Sequence, residues 1–563
     1  MNLTSMRSVI AGALGLCFAA RCFADLPNPE GINDLFAQWN RDDSPGAAIV
    51  IVQNGAVVYQ RGYGYANLQH RVPITPQTLF DCASVAKQFT GLSVAMLVQQ
   101  GKLSLADDIR KHLVNVPDFG NPITIANLVY HTSGLRDWPE TLGISGVDME
   151  GTISLEMILE MVRRQRELDF MPGEEHAYSN TGYNLLAAAI AKVTGESFRS
   201  WTDQNLFQPL GMKQTQVCDN AAEIVGGCAD SYAPVGSNKF QRVTSQLSAQ
   251  GSSSLLVSAE DMGRWLLNFE TQEIGGKAAL DLMHQPGRLT NGDKVNYGFG
   301  VSLGTFAAMP TVSHSGSWAG YRSIVLRIPE KRFAVAVLSN AGNMNTWDIA
   351  AKITGMCLNL PRPPSAKTDA AKTVQPTDAV KSDPATWEPF PGTYRLGPGW
   401  LLTISREGDQ LMTQATSEAK FNMLPISTNT FFVEAYNQPI EFVRQPSGVV
   451  TNLLYRGLKA PKINLPNLTA GDLVVYAGDY WSEELRDLTR IETHDGKLAV
   501  RMRSGNWLDL LPSGGDRFDI VGGLVIVFTR GADSKISEAR ISGNRVRNLR
   551  YTRVTLPEKA AGR

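Results

Sequence analysis

Between Pro361 and Pro389 the chain reads PRPPSAKTDAAKTVQPTDAVKSDPATWEP. A stretch so rich in Pro, Ala, Thr, Lys and Asp has too little apolar surface to bury a core of its own and reads as a linker over 363–385. It splits a sequence of 563 residues, too long for one ordinary core, into two unlike parts. Ahead of it strands and helices mix. Behind it come almost only short strands and turns.

The second part repeats itself. Phe390-Pro391-Gly392-Thr393-Tyr394 corresponds to Tyr476-Ala477-Gly478-Asp479-Tyr480, and Leu424-Pro425 with Phe431 to Leu511-Pro512 with Phe518. Phe442-Val443-Arg444 corresponds to Phe528-Thr529-Arg530, and Tyr455, more loosely, to Tyr551. Two copies of roughly 80 residues, each made of short strands, predict two small antiparallel barrels, 386–463 and 470–556. A third copy is absent, which argues against a solenoid.

The N-terminus reads as a secretory leader over 1–24. Arg7 supplies the basic start, Val9 to Ala20 a stretch too short for a stable membrane anchor, and Cys22-Phe23-Ala24 a cleavage context before Asp25. Lipidation at Cys17 or Cys22 ranks second, because neither has the usual small-residue or aliphatic context. The expected location is secreted or periplasmic. The net charge is −1, falling to −3 without the leader's two arginines, so nothing suggests a nucleic-acid surface. No later run is apolar enough to span a bilayer. Four cysteines remain after the leader: Cys82, Cys218, Cys228 and Cys357. An oxidising compartment would allow Cys218 and Cys228 to pair. The seven histidines are scattered, with no H-E-x-x-H pair, so no metal site is expected.

In the first part, Asn54-Gly55 between apolar runs from Gly46 to Tyr59 predicts a hairpin. Helices are expected over 84–100, 155–164 and 182–194, and strands over 297–303 and 323–339. Strands at both ends around a helical middle predict one sheet shared by N- and C-terminal strands, with helices packed on it.

The segment FDCASVAKQFT places Ser84 three residues before Lys87, at the head of a largely apolar helix. Positions i and i+3 share a helix face, the first turn favours negative charge, and burial lowers the pKa of a lysine. A lysine near neutrality can take the proton of a serine without a histidine. The motif alone is weak, since Ser84 as a cap and Lys87 as a snorkelling surface residue would look the same. Two further clusters supply partners. Tyr178-Ser179-Asn180 follows the turn Pro172-Gly173 and precedes an apolar helix. His314-Ser315-Gly316-Ser317 is a small-residue run beside a strand, where a ligand can approach backbone closely.

With SVAK, YSN and HSG in this order, the chain resembles the serine β-lactamase and penicillin-binding-protein superfamily, closest to its class C branch with D-aminopeptidases and class C-like esterases. LVYHTSGL at 128–135, PLGMKQT at 209–215 and GSSSLLVSAEDM at 251–262 extend the likeness over about 31–360. The resemblance implies an α/β catalytic domain of the serine β-lactamase type over 25–362, an antiparallel sheet flanked by helices with a helical subdomain. Two lipocalin-like barrels would follow, as in D-aminopeptidase, where a loop of the last barrel reaches the active site. By the same resemblance Ser84 is the nucleophile, Lys87 its activator and Tyr178 the general base and later acid. Asn180, His314, Gly316 and Ser317 bind substrate, Ser317 with Ser84 forming the oxyanion hole. His131 is structural, and neither metal nor cofactor is needed.

Histidine in place of lysine in the third motif weakens the pairing with a substrate carboxylate. The expected activity is therefore a D-aminopeptidase-like peptidase or amidase on a small or short peptide substrate. The alternatives are a class C-like carboxylesterase, or a weak β-lactamase or D,D-peptidase. A non-catalytic penicillin sensor is a further alternative, which three intact motifs weigh against. Gly300-Val301-Ser302-Leu303-Gly304 also matches G-x-S-x-G, but that elbow needs a helix after the serine, and Thr305 to Pro310 is too short for one. Ser302 is therefore expected in a strand.

Overall fold

The computed structural model describes residues 28–360 and 383–555, apart from 237–238, 417, 437, 467, 495 and 503–504. The expected leader and most of the expected linker lie outside the described residues. Among those described, no helix is long and apolar enough to cross a membrane.

The first part is built on a six-stranded antiparallel sheet. Its strands are β1 (Ala47–Gln53), β2 (Ala56–Tyr63), β3 (Ser302–Phe306), β4 (Met309–Trp318), β5 (Tyr321–Ile328) and β6 (Phe333–Ser339), in the order β3-β4-β5-β6-β1-β2. Asn54 (φ 52°) and Gly55 (φ 78°) make the β1–β2 turn, both left-handed as a two-residue hairpin requires. β1 pairs with β6 from Ala47↔Ser339 to Gln53↔Phe333, so the two ends of this part share one sheet, as expected.

Side chains alternate between two cores with the period of a strand. Ile49, Ile51, Val335 and Val337 face one core, shared with Ile349 and Ile353 of the helix Thr346–Leu358. Val50, Val52, Ala336 and Leu338 face the other, shared with Val85, Phe89, Tyr183, Met262 and Trp265 of the helical layer. The helices are α1 (Lys87–Gln99), α2 (Asn180–Thr194), α3 (Ala259–Thr271) and α4 (Thr346–Leu358). α1 buries residues on every side, from Lys87 to Leu97, which marks a central helix rather than an amphipathic surface one. Shorter helices, including Trp138–Ile144 and Leu155–Arg164, form the helical subdomain around α2.

The expected strand 323–339 is two, β5 and β6, parted by a turn at Pro329–Lys331, and the other is shorter than predicted. Over 297–303 only Ser302 onward joins the sheet, because the chain turns at Gly298–Gly300, with Gly300 at φ 73°. A Cβ on Gly300 would stand 2.1 Å from the carbonyl oxygen of Lys87. The first glycine of the G-x-S-x-G match is thus needed to seat this turn on α1, and Ser302 opens β3 with no helix behind it. Cys218 and Cys228 are free thiols, and burial pushes both up to about 11.

The second part holds two closed barrels of eight strands, Gly392–Gly397 to Leu458–Ile463 and Gly478–Ser482 to Leu549–Val554. The sequence repeat reappears as a repeated bond. Tyr394 Oη donates to Phe390 O at 2.7 Å, and Tyr480 Oη to Tyr476 O at 2.7 Å. Both tyrosines are fully buried, so Tyr→Phe at either position strands a buried carbonyl. Each substitution is expected to cost about 1–3 kcal/mol, read as an earlier barrel transition in urea. No change would mean that water replaces the hydroxyl.

Candidate active site

The site forms where α1, the start of α2 and β4 meet. Asp81 Oδ1 accepts the N–H of Ala83 at 2.8 Å, and Ala83 stands at φ 48°, a strained setting for a residue with a Cβ. This kink starts the 3-10 turn Ala83–Ala86 and presents Ser84, half-buried, ahead of α1.

Lys87 is fully buried. Its Nζ donates to Ser84 Oγ at 3.0 Å, Asn180 Oδ1 at 2.8 Å and Ser252 O at 2.7 Å. Burial lowers its pKa to about 7, against the pull of the Asp137 carboxylate and with the push of Arg545. As a free amine it can keep two of these bonds as donor and turn its lone pair to Ser84.

Tyr178 precedes α2, whose N-cap is Ser179. Its ring stands 4.9 Å from Lys87 Nζ and 4.3 Å from the His131 ring. Its hydroxyl is buried beside Ser84 and has no hydrogen-bond partner of ordinary geometry. A buried hydroxyl without an ordinary partner calls for an explanation, and its place beside Ser84 supplies one. Burial raises its pKa strongly, with Ser84 and Arg545 opposing. His131 accepts the N–H of Ser179 at Nδ1, 3.1 Å, and so anchors the loop carrying Tyr178.

β4 closes the third side. A Cβ on Gly316 would stand 2.3 Å from Cys82 O and 3.1 Å from Ser84 N, so glycine alone lets the strand come this close. The two-residue turn pairs Trp318 with Tyr321, and Gly316 with Ser323 follows in the same phase. The alternation of an antiparallel ladder then turns the N–H of Ser317 away from β5, toward the edge left open where β3 pairing ends at Ser313. His314 is buried, its Nε2 on Tyr297 Oη at 2.9 Å and its Nδ1 on Ser315 O at 2.7 Å. Burial, reinforced by Lys87, drives its pKa down to about 3, so the ring is neutral.

The sequence profile described as Beta-lactamase matches residues 32–353. The chain belongs to the beta-lactamase family. It is similar to penicillin-binding protein 4* of Bacillus subtilis (strain 168), 25% identical over 443 residues that cover 75% of this chain and 96% of that protein. It is also similar to D-aminopeptidase of Gluconobacter oxydans (strain 621H), 26% identical over 360 residues, 63% of this chain and 67% of that one. The solved structure of an octameric penicillin-binding protein homologue from Pyrococcus abyssi shares the fold, with a TM-score of 0.54 at 23% identity, covering 77% of this chain and 99% of that chain.

In this beta-lactamase-family serine hydrolase the seven residues singled out from sequence converge on one place. Three others were not visible there. Ser252 contributes only a carbonyl. Asp137 is buried, and its Oδ1 accepts both the main-chain N–H of Asn180 at 2.7 Å and its side-chain Nδ2 at 3.0 Å. That holds the Asn180 side chain between Asp137 and Lys87. Arg545, from the last barrel, donates to Asp137 Oδ2 at 3.1 Å and lies 5.0 Å from the Tyr178 ring centre. No local motif marks a residue more than 400 positions away in sequence.

Proposed function

We propose that the chain is an exported serine acyl hydrolase that works through an acyl-enzyme on Ser84, with D-aminopeptidase-like peptidase or amidase activity. The observation that carries this is the buried Lys87 Nζ at 3.0 Å from Ser84 Oγ, with a pKa lowered to about 7. The Ser84 oxygen attacks the substrate carbonyl carbon as its proton passes to Lys87. The N–H groups of Ser84 and Ser317 receive the oxyanion. The tetrahedral intermediate collapses, breaking the bond to the leaving amine or alcohol. Of the base-then-acid role that the resemblance implies, Tyr178 takes only the acid half, because burial holds its proton on; it donates to that group and is reprotonated from Lys87. Water then attacks the ester with Lys87 again as acceptor, and Lys87 returns that proton to the Ser84 oxygen as the acyl–oxygen bond breaks.

The substrate class rests on His314. A neutral ring with both nitrogens engaged offers no charge to a substrate carboxylate, which disfavours β-lactams and peptides read by their C-terminus. The similarity to the Gluconobacter D-aminopeptidase points the same way. Export is supported by the leader-like first 24 residues. A screen of D-amino-acid p-nitroanilides, p-nitrophenyl esters and nitrocefin, with Ser84→Ala as control, tests the reading. Turnover of the D-anilides well above nitrocefin is expected. Fast nitrocefin turnover would overturn the assignment drawn from His314.

A further inference from the structure

The last barrel delivers a charge to the catalytic centre. Arg545 sits in the loop between the strands Ile536–Ser542 and Leu549–Val554. The main chain of that loop is bolted down on both sides. The N–H groups of Asn544 (2.7 Å) and Arg545 donate to the Glu140 carboxylate, and the carbonyl of Arg545 accepts the N–H of Asp137 at 3.3 Å. A Cβ on Gly543 would stand 2.2 Å from Glu140 Oε1, so glycine is what lets the turn come this close to Glu140. Around it, Arg136 Nη1 pairs with Glu484 at 2.8 Å, and Arg547 with Glu175 at 2.8 Å.

From this seat the Arg545 guanidinium reaches Asp137, which is 2% exposed. A buried carboxylate without a counter-charge is costly. Asp137 in turn takes both N–H groups of Asn180, and Asn180 Oδ1 takes Lys87 Nζ. The contacts run in one line: Arg545, Asp137, Asn180, Lys87, Ser84. We propose that Arg545 is a positioning residue of the active site, supplying Asp137 with a counter-charge other than Lys87, so that Asn180 stays fixed and Lys87 is free to act as an amine.

The electrostatics agree with the geometry. Lys87 Nζ faces Ser84 Oγ, Asn180 Oδ1 and the Ser252 carbonyl directly, and the rings of Tyr178 and Tyr183. The Cys82 thiol, His131 and His314 also interact with it, and burial keeps both histidines neutral. The charges acting on it are Asp137, which favours the ammonium, and Arg545, which opposes it. Removing Arg545 leaves Lys87 as the cation that Asp137 then draws on, and so favours protonation of Lys87.

The inference rests on the reading of Ser84 and Lys87 as the reactive pair. The test is a set of full-length variants assayed on p-nitrophenyl acetate, with thermal melts to check folding. Arg545→Met is expected to lower kcat about tenfold with little change in KM, and to move the acid limb of kcat/KM to higher pH. Arg545→Lys is expected to restore most of the loss. The double variant Asp137→Asn/Arg545→Met is expected to lose no more than Asp137→Asn alone, because the neutral amide needs no counter-charge. If Arg545→Met fails to fold, Arg545→Gln takes its place in the same cycle. A native-like kcat and acid limb without Arg545, or losses that simply add, would overturn the proposal. Ser84→Ala separates the two levels. If it still turns over ester, the reading of the site itself fails. A dead Ser84→Ala beside an unaffected Arg545 variant removes only this inference.

Discussion

Ser84→Ala is expected to slow hydrolysis of p-nitrophenyl acetate by on the order of 10³ or more in kcat, while the thermal melt stays close to that of the native chain. The loss is large because the oxygen that forms the ester is removed, leaving only binding and the oxyanion N–H groups. The fold should tolerate the change. Ser84 is half-buried, and its one hydrogen bond to Lys87 leaves that ammonium with Asn180 and Ser252 as partners. Adding Lys87→Met to Ser84→Ala should cost almost nothing more, since residues acting as a unit are not additive. An alanine variant within about tenfold of native, by the same logic, would move the nucleophile elsewhere. Ser302, at the start of β3, would then have to be reconsidered.

Lys87→Arg should be as damaging as Lys87→Met, again on the order of 10³ in kcat. Arginine preserves the charge and can still donate, but its pKa stays above about 12, so it does not take a proton from Ser84. The expected pH profile follows from the same residue. Burial first, then Arg545, lowers Lys87 to about 7, and Asp137 resists. The amine works as acceptor only when deprotonated. Activity is therefore expected to be full above this pKa and to fall about tenfold per unit as pH drops below it. The limb should vanish from the residual activity of the arginine variant. A native kcat/KM that is flat from about pH 5 to 9, or an arginine variant near native, would show that Lys87 is not the acceptor.

The remaining structure explains how such a site is held. Trp138 and Leu142 of the helix Trp138–Ile144 face the core under α1, whereas Ile144 of the same helix joins the core of the last barrel. The barrel thus shares apolar surface with the catalytic part as well as ion pairs. Arg136, 1% exposed, is the deepest of these links, with Glu484 and the carbonyl of Arg547 on its far side. Truncations that remove the last barrel should be judged with this buried arginine in mind.

What sequence alone settled was local and repetitive. Asn54-Gly55 specified its hairpin because both residues accept a left-handed backbone. The apolar run behind Lys87 specified a buried helix. The recurring Tyr394 and Tyr480 frames specified two barrels because each copy repeats the same run of short strands and turns. Ser84, Lys87, Tyr178 and His314 could be picked out because each sits in a short motif whose chemistry is legible from residue type. The turn at Gly298–Gly300 reads as strand from sequence, since its glycines permit the bend but contact with α1 is what makes it. Asp137 and Arg545 lay beyond sequence reasoning for a related reason. An ion pair depends on distance in space, and only the docking of the last barrel onto Glu140, Asp137 and Arg136 brings a guanidinium from position 545 to the carboxylate that braces Asn180.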